Sequence, residues 1–458
     1  MKKILYALCL TLCLTGVFMI QVTPVWAEEE TSGHEETINE DELFSDSETI
    51  TKEEDIVKED VGAELTRKKI GFSGDIRTST TYNGYDSSKD WTKELLKDEP
   101  VELENIMSAN FLVDIRLQKG IKGFLNAGID YTPAVMDPET TTVKKDITNY
   151  QINEFFLDTN VNNKIYFRTG KQVLKWGTGY FWNPTDLINI DRKTFLDMDK
   201  VTEGTFGEKI QIPFGVKRNI YFFIGGNEAA KVSDISLAGK YEWLIGETEM
   251  SISAWGKGEH KPVYGYDFTS RVGDVSIRGE VSVAPGDNPE QLILDYDTLK
   301  QTAGDEWVPQ ASLGFTKSFD NGNYKDRISL TGEFYYNGNG YEKNIFSRIA
   351  QIDNEENRKS IKAEYIGKYY KPYMNSKYYF AFFTSVYKFI KPELTLNING
   401  ITNLVDDSSS LTTGLSYTPA LTDLTLECSI TGFIGDENTE ATYSGKGYLL
   451  TLKSQILF

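Results

Sequence analysis

Apolar and polar residues alternate with a period of two along most of the chain from Ile70 to Phe458. One representative segment carries branched apolar residues at alternating positions: Val275, Ile277, Val281 and Val283. Its intervening positions are polar: Ser276, Arg278, Glu280 and Ser282. Because successive side chains of a β-strand point to opposite faces, this pattern predicts strands with one apolar face and one polar face.

Eighteen such segments can be counted, separated by turn residues. They are 70–81, 108–118, 123–132, 149–161, 164–177, 206–214, 219–227, 235–244, 247–257, 264–272, 274–284, 308–319, 326–338, 377–389, 393–404, 409–419, 424–434 and 446–458. Connections after even-numbered segments are mostly tight, whereas many after odd-numbered segments are long, such as 82–107 and 339–376. Short turns at one rim and long loops at the other are typical of outer-membrane barrels. The pattern predicts an all-β fold, a transmembrane antiparallel up-and-down β-barrel of about 18 strands (16–18).

The last segment, GYLLTLKSQILF, ends the chain on Phe458. It resembles the closing strand of bacterial outer-membrane β-barrels, whose C-terminal aromatic residue is read by their assembly machinery. This resemblance implies two partners, outer-membrane lipid around the barrel and the barrel-assembly machinery through Phe458.

The N-terminal region has the pattern of an exported protein. Lys2 and Lys3 precede an apolar run, and Ala27 ends a plausible cleavage site, so residues 1–27 are predicted to be a signal peptide. Residues 28–63 contain 15 acidic residues and only two lysines, which favours a disordered acidic tail in the periplasm. The barrel then occupies residues 64–458. The tail is either a solvated linker or a tether to a basic periplasmic or cell-wall partner.

Composition narrows the chemistry further. The formal charge is −20 and basic patches are lacking, so we expect no nucleic-acid partner. Only Cys428 remains after cleavage, and the two histidines are His34 and His260. These residues cannot form a zinc site, and a Ser-His-acid hydrolase would depend on His260 alone. We therefore expect neither an enzyme nor a cofactor.

The connection after the fifth segment is unusually aromatic, with the sequence GKQVLKWGTGYFWNPTD from Gly170 to Asp186. Its large aromatic side chains are too apolar for a loop in water, and its glycines allow a sharp departure from the strand. We expect an inward-folded aromatic loop (178–205) that narrows the pore. The alternative is that the aromatic residues only fix the loop to the wall. The constriction candidates are Trp176, Tyr180, Trp182, Asp186, Asp191, Arg192 and Lys193.

This run is similar to a G-x-Q-x-x-x-W-G…W-N-P-x-D pattern in a group of outer-membrane barrels. More distantly, the chain resembles alginate-export and substrate-selective porins. The resemblance implies a porin-like barrel in the outer membrane of a Gram-negative-type envelope.

The polar faces of the segments are predicted to line the lumen. Acidic and basic residues on these faces nearly balance, which favours cross-strand ion pairs over a selective ring of one sign. The wall candidates are Asp114, Arg116, Arg168, Arg278, Glu280 and Arg327.

These patterns favour a channel for passive diffusion of small hydrophilic solutes. Two alternatives remain open. One is a structural envelope barrel tethered to the cell wall through its acidic tail, and the other is an export channel for a polymer.

Overall fold

The computed structural model describes residues 69–85, 103–117, 120–136, 143–174, 176–186, 188, 203–227, 229, 231–258, 260–285, 291–295, 298–302, 306–322 and 324–458. Twenty strands occur in these ranges. They are β1 Lys69–Tyr85, β2 Leu103–Arg116, β3 Lys122–Met136, β4 Val143–Val161, β5 Ile165–Gln172, β6 Thr205–Pro213, β7 Arg218–Gly225, β8 Ser236–Ile245, β9 Thr248–Lys257, β10 His260–Val272, β11 Val275–Pro285, β12 Gln291–Asp295, β13 Thr298–Thr302, β14 Trp307–Asn321, β15 Tyr324–Asn337, β16 Tyr378–Val386, β17 Leu394–Asn403, β18 Ser408–Tyr417, β19 Leu424–Ile434 and β20 Lys446–Leu457.

Eighteen of these strands form one antiparallel sheet that closes on itself, while β12 and β13 form a separate two-stranded sheet. Closure occurs where β1 pairs with β20, in a register that aligns Thr81 with Thr451 and Ile76 with Ile456. The backbone N–H of Phe458 then donates to the carbonyl oxygen of Gly74 at 3.0 Å. The predicted barrel and its strand number are therefore confirmed.

The two faces of the wall differ as the alternation predicts. On β20, Leu450, Leu452 and Ile456 are exposed on the outside, whereas Thr451 and Lys453 are half-buried on the inside. Neighbouring strands continue the apolar row, because Ile456 lies beside both Leu424 and Ile76. An apolar outer band is what a barrel needs to face lipid hydrocarbon. No helix in the described part of the chain is long and apolar enough to cross a membrane.

The two rims also differ as predicted. Tight turns after β6, β8 and β10 contain Gly215, Gly246 and Gly273, each with a positive φ near 60°. At the other rim, β5 and β6 are joined through residues 173–204, and β15 and β16 through 338–377. One boundary differs from the sequence prediction, since β5 ends at Gln172 rather than at residue 177. The apolar alternation continues there through Leu174 and Trp176, but these side chains are buried inside the barrel instead of facing lipid.

Several long connections contain elements that the alternation did not predict. A 3-10 turn covers Val232–Asp234 after β7, and the β15–β16 connection holds helices α1 (Ile345–Ala350) and α2 (Glu355–Glu364) and a π-helical turn, Tyr365–Tyr369. Asn344 and Asn354 cap α1 and α2 by accepting backbone N–H groups of Ser347 and Asn357. The helices pack on the hairpin of β12 and β13 through a buried set that we call the outer cluster. It comprises Leu294, Ile345, Phe346, Ile349, Ile352, Ile361 and Tyr365.

Candidate functional site

The chain between β5 and β6 turns into the barrel immediately after Gln172. We call residues 174–188 of this connection the aromatic segment. Its two ends, Leu174 with Trp176 and Ile188, pack against Phe223 of β7 and Ala238 of β8. These five side chains are all buried, so the segment enters and leaves along the wall next to β5 and β6.

Glu280 of β11 holds the first bend of the segment. It faces the interior, since it is 1% exposed while its neighbour Val281 is 44% exposed on the outer face. Its carboxylate accepts the backbone N–H groups of Thr178, Gly179 (2.5 Å) and Thr185 (3.1 Å), and the hydroxyl of Thr185 at 2.9 Å. A carboxylate can accept several donors at once, so one side chain fixes both the outgoing and the returning chain.

Glu333 of β15 holds the tip of the segment in the same way. Its carboxylate accepts the backbone N–H groups of Tyr180 at 2.7 Å, Phe181 at 3.2 Å and Trp182 at 2.7 Å. Glu333 is also 1% exposed. Three consecutive N–H groups that point to one carboxylate form a concave backbone site for an anion, here supplied by the wall.

The aromatic side chains at the tip pack against the same part of the wall. The ring of Trp182 is stacked on Tyr335, with centroids 5.2 Å apart and planes at 7°, and on Tyr379 at 5.8 Å. Its indole N–H donates to the carbonyl oxygen of Tyr373 at 3.0 Å. Tyr180 is stacked on Phe383 of β16 at 6.1 Å. These contacts bury the tip in an aromatic cluster on β15 and β16.

Taken in order, the contacts describe the path of the segment. It passes β7 and β8, then β10 and β11, and reaches β15 and β16 before returning past Glu280 to Phe223. The nine strands that follow β5 around the 18-stranded barrel are β6, β7, β8, β9, β10, β11, β14, β15 and β16. Because β16 is nine strands away from β5 in either direction, it lies opposite β5. The segment therefore follows the inner wall over half of the circumference.

Four of the seven constriction candidates lie in this segment. Trp176 and Trp182 are buried, and Tyr180 is half-buried next to Arg278. Burial raises the pKa of the Tyr180 hydroxyl, and the positive charge of Arg278 partly opposes that shift. Asp186 is half-buried, and its backbone N–H donates to Asn183 at 3.1 Å. The remaining candidates lie outside the described residues: Asp191, Arg192 and Lys193.

The wall candidates separate into two groups. Arg278 and Glu280 adjoin the aromatic segment, and Arg278 also donates to Thr316 at 2.5 Å. The other four are held elsewhere. Arg168 makes two hydrogen bonds to Asp158 (2.7 and 3.0 Å), and Asp114 contacts both Arg116 and Lys122 at 3.3 Å. Arg327 donates to the carbonyl oxygens of Tyr387, Lys388 and Phe389 in the turn between β16 and β17.

Sequence reasoning missed Glu333 as a site residue. Its position in the alternation of β15 predicts that it faces the interior. Carboxylates are common on a lumen face, however, and only the fold shows which of them accepts hydrogen bonds from the aromatic segment. Among the described residues, no group of three or more His, Cys, Asp or Glu side chains is arranged to hold a metal ion.

Comparisons with known proteins identify the fold. Neither protein-family models nor curated protein sequences give a match. Among solved structures, OccAB1 of Acinetobacter baumannii is similar with a TM-score of 0.51 and 9% identity, covering 85% of this chain and 96% of that one. OccK8 (OprE) of Pseudomonas aeruginosa has a TM-score of 0.51 and 8% identity, covering 85% and 98%. At such identities the likeness shows a common barrel fold.

Proposed function

We propose that this chain is a porin-like channel of the outer membrane for passive diffusion of small hydrophilic solutes, narrowed by its aromatic segment. The observation that carries the proposal is the pair of interior carboxylates, Glu280 and Glu333, which accept the backbone of the segment inside the barrel. Such a segment reduces the cross-section of the lumen without closing it, because it lies along one half of the wall.

The other half of the wall suits water and polar solutes. Barrels of about 16–18 strands leave an aqueous channel when nothing fills them. On the strands that the segment does not contact, hydroxyl side chains pair across the interior face, as Thr81 does with Thr451 at 3.1 Å and Thr412 with Thr431 at 2.7 Å. Hydroxyl groups donate and accept hydrogen bonds, so this surface accepts neutral and charged hydrophilic solutes alike.

The proposal includes the route by which the chain reaches the membrane. Residues 1–27 direct export, residues 28–63 form the acidic tail on the periplasmic side, and residues 64–458 form the barrel. Phe458 is recognised by the barrel-assembly machinery. Its side chain is 48% exposed and lies beside Phe72 (5.9 Å between centroids) and Phe111 (6.3 Å), so it is accessible at the seam.

The test is conductance in planar bilayers together with swelling of proteoliposomes in sugars of increasing size. We expect discrete channels and a sharp size limit for the full mature chain. Deletion of residues 178–193 should raise the conductance and shift the size limit upward. Deletion of residues 28–63 is the control and should change neither property. A folded barrel that conducts no ions and passes no solute would contradict the channel and favour a structural role.

A further inference from the structure

The tip of the aromatic segment is connected to the outer loops through Glu440, in the connection between β19 and β20. Trp182 donates its indole N–H to the carbonyl oxygen of Tyr373 at 3.0 Å. The backbone N–H of the same residue, Tyr373, donates to Glu440 Oε1 at 2.8 Å. The backbone of a single residue, Tyr373, therefore links the indole of Trp182 to a buried carboxylate.

A second route joins the same two residues. Tyr379, whose ring is stacked on Trp182 at 5.8 Å, directs its hydroxyl to Glu440 Oε2 at 2.9 Å. That hydroxyl oxygen already accepts the N–H of Ser376 at 2.7 Å, so its hydrogen is directed to the carboxylate. Asn403 of β17 donates to the same Oε2 at 2.7 Å. Glu440 thus fixes β16, β17 and the loop before β16, which are the elements that position Trp182.

The surroundings of Glu440 disfavour its charge. It is 2% exposed, and its own N–H donates to Asp406 Oδ2 at 2.7 Å, which brings a second carboxylate close. Lys362 of α2 donates to the carbonyl oxygen of Tyr443, in the same connection as Glu440, at 3.2 Å. The titratable groups acting on Glu440 from the elements packed on it are Asp406 of the β17–β18 turn, Tyr379 of β16, Tyr341, Tyr365, Tyr370 and Tyr373 of the β15–β16 connection, and Tyr443 of its own connection.

We propose that Glu440 is a positioning residue for the constriction and that its ionisation loosens the aromatic segment, so that passage through the pore responds to pH. This inference rests on the proposed function, because it requires that the segment narrow the pore. The residue touches no solute; it acts through Tyr373 and Tyr379 on Trp182.

The direction of the response follows from linkage. Burial, and then the negative charge of Asp406, raises the pKa of Glu440 from 4.5 to about 8, although its hydrogen bonds with Tyr373, Tyr379 and Asn403 lower it. Between pH 4.5 and about 8, Glu440 is therefore protonated when the loops are packed and ionised when they are loosened. Their packing is most stable below pH 4.5, weakens as the pH rises toward about 8, and stays weak above it. The constriction should be tight in acid and loose in alkali.

The experiment measures single-channel conductance and its fluctuations in planar bilayers from pH 5 to pH 9.5. For the full mature chain we expect conductance to rise with a midpoint between pH 4.5 and about 8, the interval in which the packing of the loops weakens, and to level off above it. Glu440→Gln should remove this midpoint. Glu437→Gln is the matched control, because Glu437 is exposed on the same connection, and it should keep the midpoint.

Two further variants keep the inference testable if Glu440→Gln does not fold. Asp406→Asn removes the neighbouring charge and should move the midpoint to lower pH. Lys362→Met tests the half-buried amine of α2 that contacts the same connection, since burial lowers the pKa of Lys362 to about 8 as well. A midpoint that survives Glu440→Gln or Asp406→Asn unchanged, or that disappears only with Lys362→Met, overturns the inference. If the chain conducts ions without any response between pH 5 and pH 9.5, the inference fails while the proposed function stands. Absence of all conductance contradicts the proposed function itself.

Discussion

Gly177 lies directly against the carboxylate of Glu280, and nothing larger than a hydrogen fits between them. A Cβ at residue 177 would lie 2.7 Å from Oε1 and 2.9 Å from Oε2, and the backbone φ of +95° is one that side-chain-bearing residues rarely adopt. Glycine is therefore required at the point where the aromatic segment leaves the near wall and turns toward β11.

Replacing Gly177 with alanine should displace the first bend while leaving the barrel intact. The cost of such strained backbone is about 1–3 kcal/mol, enough to populate a detached segment. We expect normal heat-modifiable migration in gels but a higher and noisier conductance. Gly256→Ala is the control, because a Cβ there meets open space and the backbone is ordinary. Equal conductance in both variants and the unmodified chain would show that this bend does not limit passage.

Glu333→Gln should release the tip of the segment. Glutamine keeps the size of the side chain but removes the charge that three backbone N–H groups contact. Hydrogen bonds to a charged acceptor contribute about 1.5–3 kcal/mol, so the near-ultraviolet circular dichroism of the packed aromatic residues should be lost at a lower temperature than in the unmodified chain. Glu356→Gln, an exposed change on α2, is the control. Identical transitions in all three proteins would argue against the assigned role of Glu333.

Two substitutions at Trp182 separate its stacking from its hydrogen bond. Trp182→Phe keeps a ring against Tyr335 but loses the N–H that Tyr373 accepts, whereas Trp182→Ala loses both. Truncation of a buried tryptophan costs about 3–5 kcal/mol in a packed core. We therefore expect a small increase in conductance for phenylalanine and a large one for alanine. Equal increases in the two variants would instead place the main constraint in the hydrogen bond, which both of them lose.

Cys428 provides a test of the membrane-facing side. It is exposed on β19, and its neighbours across the two adjoining strands are Leu415 and Leu452, both exposed and apolar. In lipid vesicles a charged, water-soluble maleimide should label it slowly, because moving a charge into hydrocarbon is costly. Cysteine placed at exposed Glu437 in a Cys428→Ser background should react quickly. Rapid labelling of Cys428 itself would place it in water and contradict the assigned orientation.

The sequence predicted the wall well and the site only in part. Each strand of the wall needs one apolar face toward lipid and one polar face toward water, so apolar and polar residues alternate within every strand. A strand such as β11 or β20 can therefore be recognised from its own residues. The outer cluster depends on residues far apart in the chain, such as Leu294 and Phe346, whose connections show no period of two. The composition of the aromatic segment predicted an inward fold, but the role of Glu333 depends on which strands lie opposite β5 in a closed barrel, and the sequence does not show that.

The carboxylates that hold the aromatic segment belong to strands synthesised after it. A partly folded barrel that has formed β5 and β6 but not β11 and β15 lacks the carboxylates that accept the backbone of the segment. The closing contact, between Phe458 and Gly74, joins opposite ends of the barrel chain. Contacts so distant in sequence form slowly. The segment can be held in its final position only when β11 and β15 are in place, so the packing of the interior depends on completion of the wall on the far side of the barrel.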